Sequence, residues 1–467
     1  MTDQAAGPLG QLLQRCLWFD QLDATVVPRP GLLGTTHADV VIVGAGLTGL
    51  WTAYYLALER PDLQIVVVER EVAGFGASGR NGGWANAGIA GSASLYARRS
   101  GPAAVHAAEI ETNHAVSEIG AVINRHGITC DYNKGGSLAV AMTEPQLQRL
   151  QAEYGAKQRL NPEATDLQWL NRDQVKERVN IPDVRAGLFT PHAARIQPAK
   201  LVRELALVVE QMGVQIAENT AVTGVRSGVV ETDGGSLASP VVILATEAYT
   251  TQLPGRHRRY LPLTSLMVAT EPLPPDVWNS LGWPAGMTIR DKRHLFFYAQ
   301  RTADGRIAIG GRGAPYRLGS PIDSENEVSA EVADRLQQTL RQHFPQTAEA
   351  RVTHHWGGPL GVPRDWCMSV GYDTSTKIGW AGGYSGHGVT ATNIAGRTLR
   401  DLVLNRSTAL TKLPWVAHRA RGWEPEPLRW LASNSIVRVL GSADRKEDRT
   451  DRPARRVATV APFLPPS

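Results

Sequence analysis

Apolar residues along this chain fall into continuous, helical and alternating runs, and each kind predicts a different element. In "ADVVIVGAGLTGLWTAYYLALERPDLQIVVVER", Val40 to Val43 is continuously apolar, as in a strand buried on both faces. Leu47 to Leu58 has helical spacing, with Pro61 beyond its end, and Gln64 to Val68 is a second buried strand. Together they predict a βαβ unit. Val105 to Arg125 predicts a helix, Gly136 to Met142 a strand and Glu144 to Lys157 a helix. "QPAKLVRELALVVEQMGVQIAENTAV" predicts a helix and a strand, with Pro198 in the helix's first turn. "VVILATEAYT" predicts a buried strand running into a loop or helix start. From Leu261 to Arg312 alternating apolar residues predict strands of an antiparallel sheet. Ser324 to His343 predicts a helix with Ser324 as N-cap, and "KIGWAGGYSGHGVTATNIAGRTLRDLVL" predicts strand, Gly-rich turn and helix.

Parallel βα patterns thus occur at the start, the middle and near the end, with antiparallel patterns between them. The expected class is α/β, α+β overall. Residues 37–92, 195–255 and 350–405 form a discontinuous nucleotide-binding domain, and 93–194 with 256–349 form a second domain. Residues 1–36 read as a Pro- and Gly-punctuated arm. Residues 406–467 read as an extension ending in a charged, mobile tail. The helical pattern around "EPLRWLASNSIVRVL" is expected to pack on its own domain rather than on a membrane or partner.

Composition narrows the function classes. The net charge of +5 is small for 467 residues, and much of the excess sits in "RKEDRTDRPARR", so nothing argues for a nucleic-acid groove. Three cysteines far apart, Cys16, Cys130 and Cys367, make neither a disulfide framework nor a zinc site, and point to a reducing compartment. The N-terminal residues lack a basic segment followed by an apolar one, and there is no run of about 18 apolar residues. The expectation is a soluble cytoplasmic protein without a metal.

Gly44, Gly46 and Gly49 make a GxGxxG turn between strand and helix, and Glu69, followed by Arg70, closes the next strand. In that context the glycines admit a pyrophosphate to the helix N-terminus at Leu47 and Thr48, and Glu69 accepts ribose hydroxyls. The carboxylate would repel a 2′-phosphate, which leaves NAD or FAD. "GFGASGRNGGWANAG" favours flavin, because a flavin needs several segments and close backbone approach. Gly76, Ala77 and Ser78 would serve pyrophosphate. Arg80, Asn81, Gly82 and Gly83 would follow the ribityl chain, with Trp84 near the chemistry. Val222, Ala245 and Thr246 would meet the adenosine half. In the last Gly-rich turn, Gly383, Ser385, Gly386, His387, Gly388, Val389 and Thr390 would place bare amides before a helix N-terminus, suited to the electron-rich edge of a reduced flavin.

The set "VVIVGAGLTGL", "IVVVER", "GFGASGRNGGW", "VVILATEAYT" and "WAGGYSGHGVT" closely resembles the D-amino-acid oxidase superfamily, nearest to its gamma-glutamylputrescine, glycine and sarcosine oxidases. The resemblance spans roughly residues 36–405. It implies a glutathione-reductase-type Rossmann domain holding FAD over a mainly antiparallel β substrate domain. It also implies oxidation of an amine or amino acid by hydride transfer to flavin N5. The imine then hydrolyses, and oxygen reoxidises the flavin with formation of hydrogen peroxide. Sarcosine-oxidase relatives attach FAD to a Cys whose place falls near Gly357 here, with Cys367 too late. Other relatives use a His in the stretch matching "GGWANAG", which has none. FAD is therefore expected to be non-covalent. A carboxylate-holding Lys is replaced by Thr390 and an oxygen-activating Lys by Ala308, which argues against a small N-methyl amino acid and fast use of oxygen.

The candidate catalytic residues are His387, Tyr384 and Trp84. Trp84, Phe297, Tyr298, Trp356 and Tyr384 are candidate walls of an amine pocket, against plain core packing for each. Arg290, Arg293 and Arg312 are candidates for an acidic substrate group, against a solvated face. His354 and His355 are neighbours on a strand and point to opposite faces, which speaks against a metal pair. The partners expected are a small amine or amino acid and oxygen or another electron acceptor. A dehydrogenase with a non-oxygen acceptor, a flavin monooxygenase and a non-catalytic FAD-binding protein remain open.

Overall fold

Val40–Val43 and Ile65–Val68 are wholly buried, so each needs cover on both faces. The computed structural model, which describes residues 7–161, 165–311, 313, 315–323 and 329–461, shows what supplies it. Six strands lie in the order Ser369–Asp373, Ile378–Gly382, Val241–Leu244, Val40–Val43, Ile65–Val68, Gln215–Ala217, parallel except for the first. Val40 and Ile42 pack with residues of helices Leu47–Glu59, Pro198–Gln211 and Gly388–Val403. Val41 and Val43 pack on the other face, with Val230 and Leu237 of a small four-stranded sheet. The period of two thus splits one apolar run between two layers.

A second sheet has eight strands, all antiparallel pairs except Thr288–Asp291 with Ser137–Ala141. Its far face is a core of Leu138, Val140, Ile289, Phe297 and Ala299. Its near face turns Ser137, Ala139, Arg290 and Tyr298 towards a cavity. One edge is Val352–Val362, which pairs along its length with Leu261–Thr270. This strand therefore belongs to the second sheet, although the sequence boundary at 350 puts it with the nucleotide-binding segments. Cross-strand pairing over ten positions outweighs its nearness in sequence to the last βα unit.

Three further expectations change. Residues 8–20 are not a loose arm: Pro8–Arg15 and Leu17–Asp20 are helical, and Leu17, Trp18 and Phe19 are buried against Val72, Phe75, Met267 and Trp356. The 406–467 extension is not a mobile tail over its described part. Leu428–Thr450 is one helix of 23 residues, and Glu447, from the charged run, is buried and bonded to Arg149. The segment 261–312 also includes a helix, Pro275–Leu281, started by prolines. The helix expected from Ser324 begins at Ala330, where the Ser329 side chain accepts from the Val332 amide. Ser324 lies outside the described residues. Among the described residues no helix is long and apolar enough to cross a membrane.

Candidate active site

A cavity of about 1390 Å³ runs from the Gly44 turn, between the two sheets, to the C-terminal helix. That exceeds the usual range of roughly 300–1,000 Å³ for one ligand and leaves room for a cofactor and a substrate. Most of the residues expected to hold a dinucleotide line it. Exceptions are Gly49, Gly83, Gly383 and Thr390, which stand behind the wall. Each has another task or place. A Cβ on Gly49 would sit 2.0 Å from the Gly44 carbonyl, so Gly49 lets the helix pack on its own turn. Gly83 has a positive φ of 70° and is closed in by Gln300, and the Gly383 amide donates to Glu247. Thr390 is buried inside the helix.

Whether this wall suits a dinucleotide can be tested on its shape. Gly44 has φ +107°, and a Cβ there would lie 2.8 Å from the carbonyl oxygen of Ala245; one on Gly46 would lie 2.8 Å from Ser78 Oγ. Larger residues would fill the cradle. Glu69 sits at the end of its strand, where its carboxylate accepts from the amides of Ala45 and Glu71, at 2.9 and 3.1 Å. Burial raises its pKa. Further along, Trp84 Nε1 and Asn86 Oδ1 are buried at the cavity wall without a hydrogen-bond partner among the described residues. Such groups await a polar ligand. The residues present therefore fit FAD.

Several of these cavity-lining side chains also brace the backbone. Ser78 Oγ accepts from the Leu47 amide at 2.8 Å, tying the second Gly-rich stretch to the helix start. Arg80 lies over the Phe75 ring, 4.4 Å from its centroid, and donates to the Phe75 carbonyl, while still lining the cavity. Asn81 is spent on its own loop, donating to the Ala77 and Ser78 carbonyls and accepting from the Gly83 amide. Three consecutive carbonyls, of Arg80, Asn81 and Gly82, accept from Trp356 Nε1 (3.0 Å), Trp18 Nε1 (2.8 Å) and Gln300 Nε2 (2.7 Å). This fixes the stretch from the eight-stranded sheet and from the N-terminal helices. Trp356 is thus a brace and not a pocket wall. Trp18→Phe should lower stability by about 1–3 kcal/mol, because the Asn81 carbonyl loses its donor; a denaturant melt with matched flavin content checks it.

At the other Gly-rich turn, His387 is the N-cap of Gly388–Val403, and a Cβ on Gly88 would come within 3.1 Å of its ring. The Tyr384 hydroxyl lies 2.9 Å from Thr48 Oγ1 in the cavity wall, and burial pushes its pKa well up, so it stays protonated at neutral pH. Glu247, which the sequence reading passed over in "ATEAYT", stands at the centre of this end. Its carboxylate accepts from the amides of Gly361 (2.5 Å), Gly383 (3.0 Å) and Tyr384 (3.3 Å). Burial pushes it up to about 7, against those three bonds. Its backbone has φ +43°, uncommon for a non-glycine residue and the one local sign of special duty.

The cavity beyond the Gly-rich turns is lined by aromatic residues at Trp84 and Tyr298 and by charged ones at Arg290 and Glu153. Trp84 and Tyr298 meet edge to face at 5.8 Å, and Tyr298 bonds Ser265 at 2.7 Å. Phe297, its neighbour, points to the opposite face and packs in the core beside His343 and Phe344. Arg290 does reach the cavity, but is paired with Glu153 at 2.6 Å. Burial opposes the Glu153 charge, yet Arg290 and Lys292 outweigh it and hold the carboxyl far below its usual range. Arg293 faces Asp291 and Asp448 instead, and Arg312 lies outside the described residues. His354 lies 3.3 Å from Asp20 of the N-terminal helices.

A buried parallel sheet with a GxGxxG cradle, joined by one cavity to an antiparallel sheet with an aromatic chamber, defines an enzyme that uses a bound dinucleotide. The family model DAO, FAD dependent oxidoreductase, matches residues 39–402, and the chain belongs to that family. It is similar to the probable oxidoreductase OrdL of Haemophilus influenzae, at 30% identity over 391 residues, covering 82% of this chain and 86% of that one. It is equally similar to gamma-glutamylputrescine oxidoreductase of Escherichia coli, 30% over 390 residues, covering 80% and 86%. Glycine oxidase from Geobacillus kaustophilus shares the fold at a TM-score of 0.69 and 22% identity, covering 83% of this chain and all of that one. FAD is the cofactor.

Proposed function

We propose that the protein oxidises a C–N bond of an amine or amino acid, with oxygen as acceptor. The imine hydrolyses, and hydrogen peroxide forms. The observation that carries this reading is the single cavity joining the dinucleotide cradle to the chamber of Trp84, Tyr298 and Tyr384. The names of two similar proteins, a gamma-glutamylputrescine oxidoreductase and a glycine oxidase, support the substrate class. When bound, FAD supplies the hydride acceptor.

The residues of the chain do the rest by placement. The apolar and aromatic chamber excludes water and disfavours the ammonium form, so the reactive neutral amine is favoured. His387 stands at the N-terminus of its helix between the cofactor wall and Gly88, where it can steer the amine. Attachment is non-covalent on this reading. Cys367 accepts from the Ser92 amide, burial pushes its thiol up to about 11, and among the described residues no cysteine lines the cavity. One observation favours a second reading, a dehydrogenase with another acceptor: Ala308 packs with Met267 and Trp356 away from the cavity and offers no cation to oxygen.

Purified protein should be yellow, and acid should release the flavin. An anaerobic panel of amines and amino acids should contain at least one compound that bleaches the visible band. If air restores colour only slowly, and an added dye or quinone does so rapidly without peroxide, the dehydrogenase reading replaces the oxidase. If no amine bleaches the flavin, the proposal fails. His387→Ala should keep the flavin and slow bleaching by roughly 10²-fold.

A further inference from the structure

The family match ends at residue 402, yet the cavity does not end with it. Beyond that point its wall comes from Trp423 and from the helix Leu428–Thr450, through Ser433, Ile436, Val437 and Leu440. These positions recur at three- and four-residue intervals, and Asp444 and Glu447 continue the same stripe. The stripe is divided by chemistry. Its first half turns an apolar surface to the cavity, with Ser433 Oγ buried and without a partner among the described residues. Its second half fixes the helix to the substrate sheet. The Asp444 carboxylate accepts from the amides of His294 and Leu295, each at 2.9 Å. Glu447 accepts from Arg149 at 2.8 Å and from the Ala454 amide at 3.1 Å. Burial opposes the Glu447 charge, but these partners and His294 hold its pKa down to about 2, so the clamp stays charged at any working pH.

The wall is joined to the proposed reaction chamber by side chains in sequence. Trp84 meets Tyr298, Tyr298 meets Phe296 at 6.4 Å, and Leu295 lies against Gly441 of the helix, 3.4 Å from where a Cβ would stand. Leu295 and Phe296 themselves line the cavity. The helix also holds the other side of this region, because Asn434 exchanges two hydrogen bonds with the backbone of Tyr316, a further lining residue.

We infer that the C-terminal helix is the specificity wall of the substrate site, and that Ile436, Val437 and Leu440 receive the apolar chain of an extended amine. This rests on the proposed amine chemistry for its choice of ligand. The probes are straight-chain primary amines from ethylamine to octylamine. Binding to the FAD-loaded protein is read from perturbation of the flavin spectrum, without turnover. Affinity should rise about fourfold per added CH₂ until the chain meets the helix. Val437→Trp and Ile436→Trp should abolish the gain for the longer amines and leave ethylamine unchanged. Val437→Ala should move the plateau to a longer chain, and it covers the case in which a tryptophan variant does not fold. Leu431→Trp, on the exposed side of the same helix, should match the parent profile. A length profile that is flat, or identical in the parent and all Val437 and Ile436 variants, overturns the inference. If octylamine binds in a Val437-dependent way while no amine reduces the flavin, the wall stands and the oxidase reading falls. If amines are oxidised with no dependence on length, the reverse holds.

Discussion

Gly44→Val should give a colourless protein that does not regain flavin on incubation with FAD. Three effects act together. Gly44 has φ +107°, a conformation that a β-branched residue scarcely adopts. Its Cβ would lie 2.8 Å from the backbone oxygen of Ala245, which is at the end of a central buried strand and has no room to yield. The side chain would also stand in the wall that meets the dinucleotide. Strain of about 1–3 kcal/mol and overpacking of about 1–3 kcal/mol are enough to lower the melting temperature by several degrees. Loss of cofactor is then complete, because the close backbone approach is gone. The ratio of visible to ultraviolet absorbance, with a melt at several FAD concentrations, checks it. A variant that melts lower but binds FAD as tightly as the parent would show that the turn is only a structural corner.

What the sequence disclosed about this site was local. The GxGxxG turn, the strand ending at Glu69, and the glycine runs "GFGASGRNGG" and "GGYSGHG" are each a short stretch whose chemistry follows from spacing within a few residues, although the last lies about 300 positions beyond the others. The buried strands were readable for the same reason, since four apolar residues in a row specify cover on two faces. Long-range pairing was not readable. Glu247 meets amides 114 and 136 residues away, and Glu447 meets Arg149 at a separation of 298. Charge in "RKEDRTDRPARR" looks like a solvated tail until those partners are known. Two misses did have a local signal. The run Leu17-Trp18-Phe19 is too apolar for a loose arm. Phe297 and Tyr298 are strand neighbours, so only one of them can face the pocket, by the reasoning that separates His354 from His355.

Glu247→Ala should be the most damaging change that leaves every glycine of the cradle intact. The carboxylate joins three segments: its own strand end, the strand carrying Gly361, and the turn of Gly383 and Tyr384 beside His387. Removing it orphans three amides, each worth about 1–3 kcal/mol, in the region that positions the last Gly-rich turn. A Cβ on Gly361 would sit 2.5 Å from Glu247 Oε2, so no larger residue there can be accommodated while the clamp is made. Glu247→Gln keeps the shape but sets an amide N–H group against donors on one side, for a smaller loss. The pair also separates charge from geometry. With its folded pKa raised from 4.5 to about 7, the carboxyl binds more protons in the folded state than in the unfolded one between those values. Stability from this group is therefore complete below about pH 4.5 and falls as pH rises through about 7. Burial raises Asp291 to about 7 as well, and it contributes in the same direction. The test is the difference between parent and Glu247→Gln in melting temperature from pH 5 to 8. The parent should fall more steeply, because only its residue 247 titrates. Equal slopes would mean that Glu247 stays ionised throughout, held by its three amides, and acts as a permanent clamp.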